Sequence, residues 1–521
     1  TVILIMFAGI AVAANILYKS PFFSQDNVVG DETAQNIYSE VPVEYVNLNK
    51  PDLNEGNEKL EIYADKLQGL QHNRLEMRVI IAYTGLAFLL VLMGAYGLAH
   101  IAAGEFRENS KIVLVAFVFI LQVVLSRVTM DIFYLNYDSS VYLYALIPFA
   151  LSALLLAQLM SVPVAIWVGL FTSAAIGFQG VESLQIFIGG SVASFVGAAF
   201  AGKARTRFHF LRAGLAVAVA IFAVNALFTV INQLPLDLLL RLALFSLLNG
   251  LATAVAASTI LPVLEYIFGL TTDISLLELS DRNHPLLKKL QLNAPGTYHH
   301  SLIVANLAEQ SASAIGANPL LARVCAYFHD IGKLSQPEYF IENISMGNNQ
   351  NPHDKLHPRL STLVLLNHVK GGLEMAKKHK LKRVIRDAIA QHHGTSLIHF
   401  FYQRAKKNAD NKSGESDVDQ QDYRYPGPCP QRKEIALISI ADSCEAASRS
   451  LQKPTPKKIE EMVEKIILDR VKDGQLDNAD LTFYEVSVAK QVTAKTLGNM
   501  LHPRINYDTE QQNEDQYSQH S

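Results

Sequence analysis

From Arg78 to Leu270 the chain is almost continuously apolar, and no other feature restricts its fold as strongly. Seven runs, at 79–100, 111–134, 141–160, 162–178, 183–201, 213–231 and 238–268, approach or exceed the roughly 20 apolar residues that a membrane-spanning helix needs. A soluble protein can bury one such helix in its core, but seven in tandem with short polar breaks require a bilayer. The whole chain reflects this, since only 18% of its 521 residues are charged where a soluble domain carries about a quarter. A further apolar stretch over 1–18 runs to a first residue that is not methionine, and it reads as an N-terminal transmembrane anchor whose cytoplasmic flank precedes Thr1. The basic start and small-residue cleavage site of a signal peptide are not seen there.

Lysine and arginine in short loops mark the cytoplasmic side. Lys203, Arg205, Arg207 and Arg212 cluster in one break, and Arg107 and Lys111 in another, whereas the breaks at 135–140, 179–182 and 232–237 have neither residue type. The polar segment 19–77 is therefore expected outside, and everything after Leu270 inside. The expected location is the cell (inner) membrane, as a multi-pass protein with a cytoplasmic C-terminal domain.

Beyond Leu270 the pattern becomes amphipathic and helical. Residues 271–294 read as two connector helices with Pro285 near the start of the second. Residues 295–503 form a succession of helices without an alternating strand pattern, interrupted by a long polar loop expected over 406–432. A disordered tail is expected over 504–521. The expected fold is all-α: the anchor helix, a seven-helix transmembrane bundle at 78–270 and a helical domain. A net charge of −3 gives no electrostatic basis for binding a nucleic-acid polymer. Cys325, Cys429 and Cys444 form no CxxC pair, as suits reduced thiols in a cytosolic domain.

Thirteen of the 16 histidines follow Leu270. They recur with aspartate beside apolar helical stretches: His299 and His300, His329 and Asp330, His353 and Asp354, His368, His392 and His393, and Asp442. A lone histidine is more often a core or surface residue than a ligand, but so many in one helical region point to a metal site. Imidazole and carboxylate suit Mn, Fe or Zn, and the absence of cysteine pairs argues against a structural zinc. A His-Asp doublet at a helix end offers adjacent ligands, with the aspartate able to bridge two ions.

PGTYHHSLIVANLAEQSA, YFHDIGKLSQPEYFIEN, NPHDKL, NHV, AQHHGT, YRYPGPCPQRKE and ADSCEAASRSL resemble, in order and spacing, the HD domain of bacterial seven-transmembrane HD phosphohydrolases that degrade cyclic di-AMP. The resemblance runs from about Arg78 to Met500. It implies two divalent metal ions, Mn or Fe, held on one side by His300, His329 and Asp442 and on the other by His368, His392 and His393, with Asp330 bridging. The residues alone leave open whether His299 or His300 is the ligand. Asp330 and Lys333 would be catalytic, Lys333 reaching the phosphate from one helical turn beyond His329. The implied reaction is hydrolysis of cyclic di-AMP to pApA by a metal-activated water, with the cyclic dinucleotide and the bilayer as partners and a homodimer as an option. Competing readings are hydrolysis of cyclic di-GMP or a guanosine polyphosphate, or a non-catalytic nucleotide receptor. HHGT without a following GYP favours cyclic di-AMP over cyclic di-GMP. Tyr339, Phe340, Tyr423 and Tyr425 are available as adenine walls, and His353 and Asp354 as a pocket-shaping loop, while His357 and His399 carry no assigned role. The family's large extracellular domain has only 19–77 in its place here, so ligand sensing by such a domain does not carry over.

Overall fold

The computed structural model describes residues 85, 92–102, 106, 108–136, 145–178, 183–344, 351–410, 418–451 and 454–501. The anchor and extracytoplasmic segment expected over 1–77, and the tail at 504–521, lie outside the described residues. Among the described residues there are helices and no strands, only an isolated bridge between Leu397 and Arg424. The chain divides into two compact units, Thr1–Phe268 and Gly269–Ser521.

The first unit contains α1 (Leu92–Ile101), α2 (Asn109–Asn136), α3 (Leu151–Leu159), α4 (Val162–Gly177), α5 (Ser183–Ala201), α6 (Arg207–Ile231) and α7 (Leu238–Phe268). Of these, four are long and apolar enough to cross a membrane, over Asn109–Met130, Leu184–Ala201, Arg207–Ile231 and Leu238–Phe268, while α1 and α4 are shorter apolar helices. Consecutive helices from α4 to α7 pack on one another, as short connections dictate. Outward faces are apolar too, with Leu240, Val255, Val263 and Tyr266 exposed on α7 and Val219, Leu227 and Val230 on α6. Such a surface is stable against hydrocarbon and not against water.

Two boundaries differ from the sequence reading. The run at 141–160 is not one helix: residues 137–144 lie outside the described residues, 145–150 form turns, and α3 starts at Leu151. Pro148 disfavours helix in the residue before it, which hydropathy cannot register. The backbone groups freed by this irregular stretch are met by polar side chains from neighbouring helices. Asn249 Nδ2 donates to the carbonyls of Ala145 and Ile147, both at 2.9 Å, and Ser194 Oγ to that of Phe149 at 3.2 Å. Gln122 donates to the Pro148 carbonyl and accepts the Ser152 amide at 2.8 Å. The second difference is that α6 starts at Arg207 instead of 213, because Thr206 and His209 cap it reciprocally.

The second unit begins with the connector helices, α8 (Asp273–Leu279) and α9 (Pro285–Asn293). It continues through α10 (Pro295–Ala314), α11 (Pro319–Phe328), α12 (Ile341–Ile344), α13 (Pro358–Lys378), α14 (Arg383–Gln391), α15 (His399–Asp410), α16 (Lys433–Ser448), α17 (Pro456–Lys472) and α18 (Phe483–Leu501). Prolines 285, 295, 319, 358 and 456 each open a helix, where a missing N–H costs nothing. The core is built on α10, α11 and α16, through Val304, Leu307, Val324, Phe328, Ile435 and Ile438. Because α16 is buried on nearly all sides, the acids in its middle, Asp442 and Glu445, are buried as well. Within the loop expected over 406–432, α15 runs to Asp410, a 3-10 turn spans Gln420–Tyr423, and Tyr423 packs beside Phe401 and Tyr402. Alternating polar residues hid that small satellite core.

Replacing Asn249 with leucine removes the side-chain donor from two buried carbonyls, of which that of Ile147 keeps the Phe149 amide at 2.8 Å. Asn249→Leu is expected to lower stability by about 1–3 kcal/mol, read as a reduced melting temperature of the detergent-solubilised chain. An unchanged melting temperature would mean that these carbonyls have other partners.

Candidate metal centre

Each candidate ligand is placed by a different local rule. Successive helical residues point about 100° apart, so of the neighbours on α10 His300 is buried and His299 is exposed. The chain leaves α11 at Phe328, and His329 and Asp330 follow directly. A 3-10 turn, Ile331–Ser335, then passes so close to α13 that a Cβ on Gly332 would collide with the His368 carbonyl and the Gly372 amide. Glycine is therefore required between Asp330 and Lys333, and its close passage sets Asp330 against His368. His392 and His393 follow the end of α14. Asp442 projects from the buried α16.

These residues converge. His300, His329, Asp330 and Asp442 bring one ligand atom each to within 4.8 Å of one another, and so do Asp330, His368, His392 and His393. Asp330 belongs to both groups and divides its oxygens between them. Its Oδ2 faces His329 Nε2 at 3.2 Å and His300 Nε2 at 3.6 Å, while Oδ1 faces His368 Nε2 at 3.5 Å and His392 Nε2 at 3.6 Å. Asp442 also reaches both ways, Oδ1 lying 3.0 Å from His300 Nε2 and Oδ2 3.6 Å from His393 Nδ1.

The far nitrogens explain this aim. His329 Nδ1 donates to the Ala326 carbonyl at 2.7 Å, His368 Nδ1 to Leu365 at 2.5 Å and His392 Nδ1 to Ile389 at 2.9 Å, each within its own helix end or turn. Every Nε2 is thereby left as an acceptor facing inward. His300 Nδ1 instead binds Glu445 Oε2 at 2.5 Å, and Arg449 holds Glu445 with Nε at 2.9 Å and Nη2 at 2.7 Å. Sequence reasoning missed Glu445, although its position three residues after Asp442 on one helix face was a usable signal.

Lys333 sits in the 3-10 turn and pairs with Asp330 Oδ2 at 2.7 Å, not on a continuing helix as its spacing from His329 suggested. Its Nζ also donates to Glu342 Oε1 at 2.8 Å and lies 5.0 Å from the Phe340 ring centroid. Glu342 accepts Thr297 Oγ1 at 3.0 Å and is a second missed residue, with no periodicity to announce it. Tyr425 stacks on His393 with centroids 4.2 Å apart. Of the other aromatics, Phe340 is buried edge-on to His368, Tyr339 lies against His353 and Tyr423 is core. His353 belongs to neither ligand group; its Nε2 donates to the Tyr339 carbonyl at 2.8 Å, and its own carbonyl takes Arg404 at 3.2 Å. Asp354 and His399 are exposed, and His357 caps α13.

Burial opposes every charge here, and neighbours decide the outcome. Asp330 is held well below the usual carboxylate range by His329 and Lys333 despite its burial. Burial would lower His300, but its bonds to Asp442 and Glu445 raise it to about 10. Burial lowers His368 to about 4, and burial with the neighbouring His392 depresses His393 as well. At neutral pH His368 and His393 thus present neutral imidazoles, while on the His300 side a cation would replace a proton. His329 Nε2 and Asp330 Oδ1 are buried with no hydrogen-bond partner. Unpaired polar atoms at such depth are costly, and inward-facing imidazoles around a shared carboxylate are what nitrogen- and oxygen-seeking divalent cations require. The residues fit a pair of such ions.

A family model described as a 7TM receptor with intracellular HD hydrolase matches residues 77–272, and one described as an HD domain matches residues 297–447. The chain belongs to the seven-transmembrane HD hydrolase family. It is accordingly a membrane protein whose HD domain implies divalent-metal binding. The cyclic-di-AMP phosphodiesterase PgpH of Bacillus subtilis is 39% identical over 77% of this chain and 56% of its own length. PgpH of Listeria monocytogenes is 46% identical over 50% of this chain and 36% of its own. Crystal structures of the L. monocytogenes PgpH HD domain, alone and in complex with cyclic-di-AMP, share 48% identity and cover 42% of this chain and 100% of theirs, with TM-scores of 0.39 and 0.40. The chain thus spans about half or less of the length of the curated relatives it matches.

Loss of an orienting carboxylate weakens a metal site by about 10–100-fold. Glu445→Ala is expected to lower by that factor the affinity for the cation on the His300 side, measured by Mn²⁺ titration of the chelator-stripped chain. Glu445→Gln keeps an acceptor for His300 and should recover most of it.

Proposed function

We propose that the chain is a membrane-bound, metal-dependent phosphodiesterase that hydrolyses cyclic di-AMP to the linear dinucleotide pApA. The observation that carries this reading is the pair of four-residue donor groups joined through Asp330. The relatives named as cyclic-di-AMP phosphodiesterases support the substrate. His300, His329 and Asp442 would hold one ion and His368, His392 and His393 the other, with Asp330 common to both. A donor set of imidazole and carboxylate without thiolate favours Mn or Fe. When bound, two such ions supply Lewis-acid charge for the phosphate and an ionised water at neutral pH.

The protein's own groups do the rest. Asp330 fixes the two halves at one separation, and Glu445 keeps His300 Nε2 facing the centre. Lys333 is held charged beside Asp330 by that carboxylate and by Glu342, although burial opposes it. It stabilises negative charge on the non-bridging phosphate oxygens, where a preorganised cation in a poorly solvated site acts strongly. Tyr425, standing over His393, is the aromatic best placed to meet an adenine. The proposed domain plan is an anchor at 1–18, an outer segment at 19–77, a bundle at 78–270, a connector at 271–294 and an HD domain at 295–503. The basic loop with Lys203, Arg205, Arg207 and Arg212 supports a cytoplasmic HD domain.

The test is a substrate panel of cyclic di-AMP, cyclic di-GMP and guanosine polyphosphate offered to the purified chain reloaded with Mn²⁺ or Fe²⁺. The expected outcome is pApA from cyclic di-AMP, abolished by chelator and reduced roughly a thousandfold or more by Asp330→Ala. Turnover retained by Asp330→Ala would sink the assignment, and tight binding of the nucleotide without any cleavage would favour a receptor.

A further inference from the structure

The turn that carries His392 and His393 lies beyond the end of α14 and is held from outside. The chain reverses at Gly394, whose φ of 57° is left-handed, and a Cβ there would run into the side chain of Gln475. Gln475 is fully buried. Its Oε1 accepts the Thr395 amide at 2.8 Å, and its Nε2 donates to Thr395 Oγ1 at 2.9 Å and to Asp473 Oδ2 at 3.0 Å. Asp473 binds Arg424 through both oxygens, at 2.8 and 3.1 Å, and the same guanidinium donates to the Thr395 carbonyl at 2.8 Å. All three polar groups of Thr395, two residues from His393, are therefore taken by one cluster. Arg424 also precedes Tyr425, whose amide donates to the Ser396 carbonyl at 3.1 Å and whose ring stacks on His393. From the same end of α17, Arg470 Nη2 donates to Ser443 Oγ at 2.6 Å, beside Asp442.

His329, His368 and His392 take their aim from carbonyls of their own helix ends or turns, whereas His393 turns Nδ1 toward Asp442 beneath Tyr425. Its direction follows the turn, and the turn follows Gln475. We propose that Gln475, together with Asp473 and Arg424, positions His393, and through it one side of the metal centre. The corner at 470–475, beyond the residues that the HD domain family model matches, is then a working part of the centre. This rests on the paired-cation reading above.

The test is calorimetric titration of the chelator-stripped full chain in detergent with Mn²⁺, alongside melting temperatures. The wild type is expected to take up two ions. Gln475→Ala should weaken one of them by about 10–100-fold and leave the other unchanged. Gln475→Met, close in volume but without an amide, should weaken the same site, which a space-filling role would not produce. Arg424→Gln, on a partly exposed arm, should act on that site more mildly and reports on the proposal even if position 475 tolerates no change. Wild-type affinities in all three variants would overturn the proposal, as would parallel weakening of both sites with a fall in melting temperature. A wild type that holds fewer than two ions would overturn the paired centre itself, and this proposal with it.

Discussion

Asp330 carries its charge at 1% exposure, where the ends or flanks of α10, α11, α13, α14 and α16 meet. A buried carboxylate without compensation is severely destabilising. Compensation here comes from every direction: imidazoles on both oxygens and an ammonium from Lys333. The helices that supply those groups are also the helices of the core. Packing and chemistry consequently impose one constraint, since a shift of α13 that opened the core at Gly332 would also withdraw His368 from Asp330.

Much of this was legible in the sequence because the relevant cues are local. Prolines at 285, 295, 319, 358 and 456 mark helix starts, and the clustered His and Asp types announce a nitrogen- and oxygen-donor site. What the chain could not disclose depends on direction and on contacts between distant residues. His299 and His300 differ only in which side of α10 faces inward, and that is decided by helices more than a hundred residues downstream, where Asp442 and Glu445 lie. Gln475 reads as an ordinary polar residue after a helix, and its partner Thr395 lies 80 residues earlier.

The membrane unit follows the same logic with different groups. Gln122, Ser194 and Asn249 are isolated polar residues in apolar helices, a pattern that invites a pathway or a ligand site. Each is instead used to satisfy the backbone at 145–152, which turns where a helix was expected. A buried non-helical segment can exist among apolar helices only if neighbours supply such partners, so the polar residues and the irregular stretch account for one another.

The connector is also more than a link. Leu276, Leu286 and Leu287 are buried in the same core as Val304, Phe328 and Ile438. At its N-cap His284 meets the Phe328 ring edge-on at 5.1 Å, and Phe328 is the residue before His329. Helix α9 also packs on the 3-10 turn that carries Lys333. A chain cut at 295 would strip three leucines from that core, each contributing about 1.5–3 kcal/mol of burial, and would uncover the segment on which the His-Asp doublet is mounted. In physical terms the HD domain therefore begins with the residues that leave the apolar block, and the doublet is built directly against them.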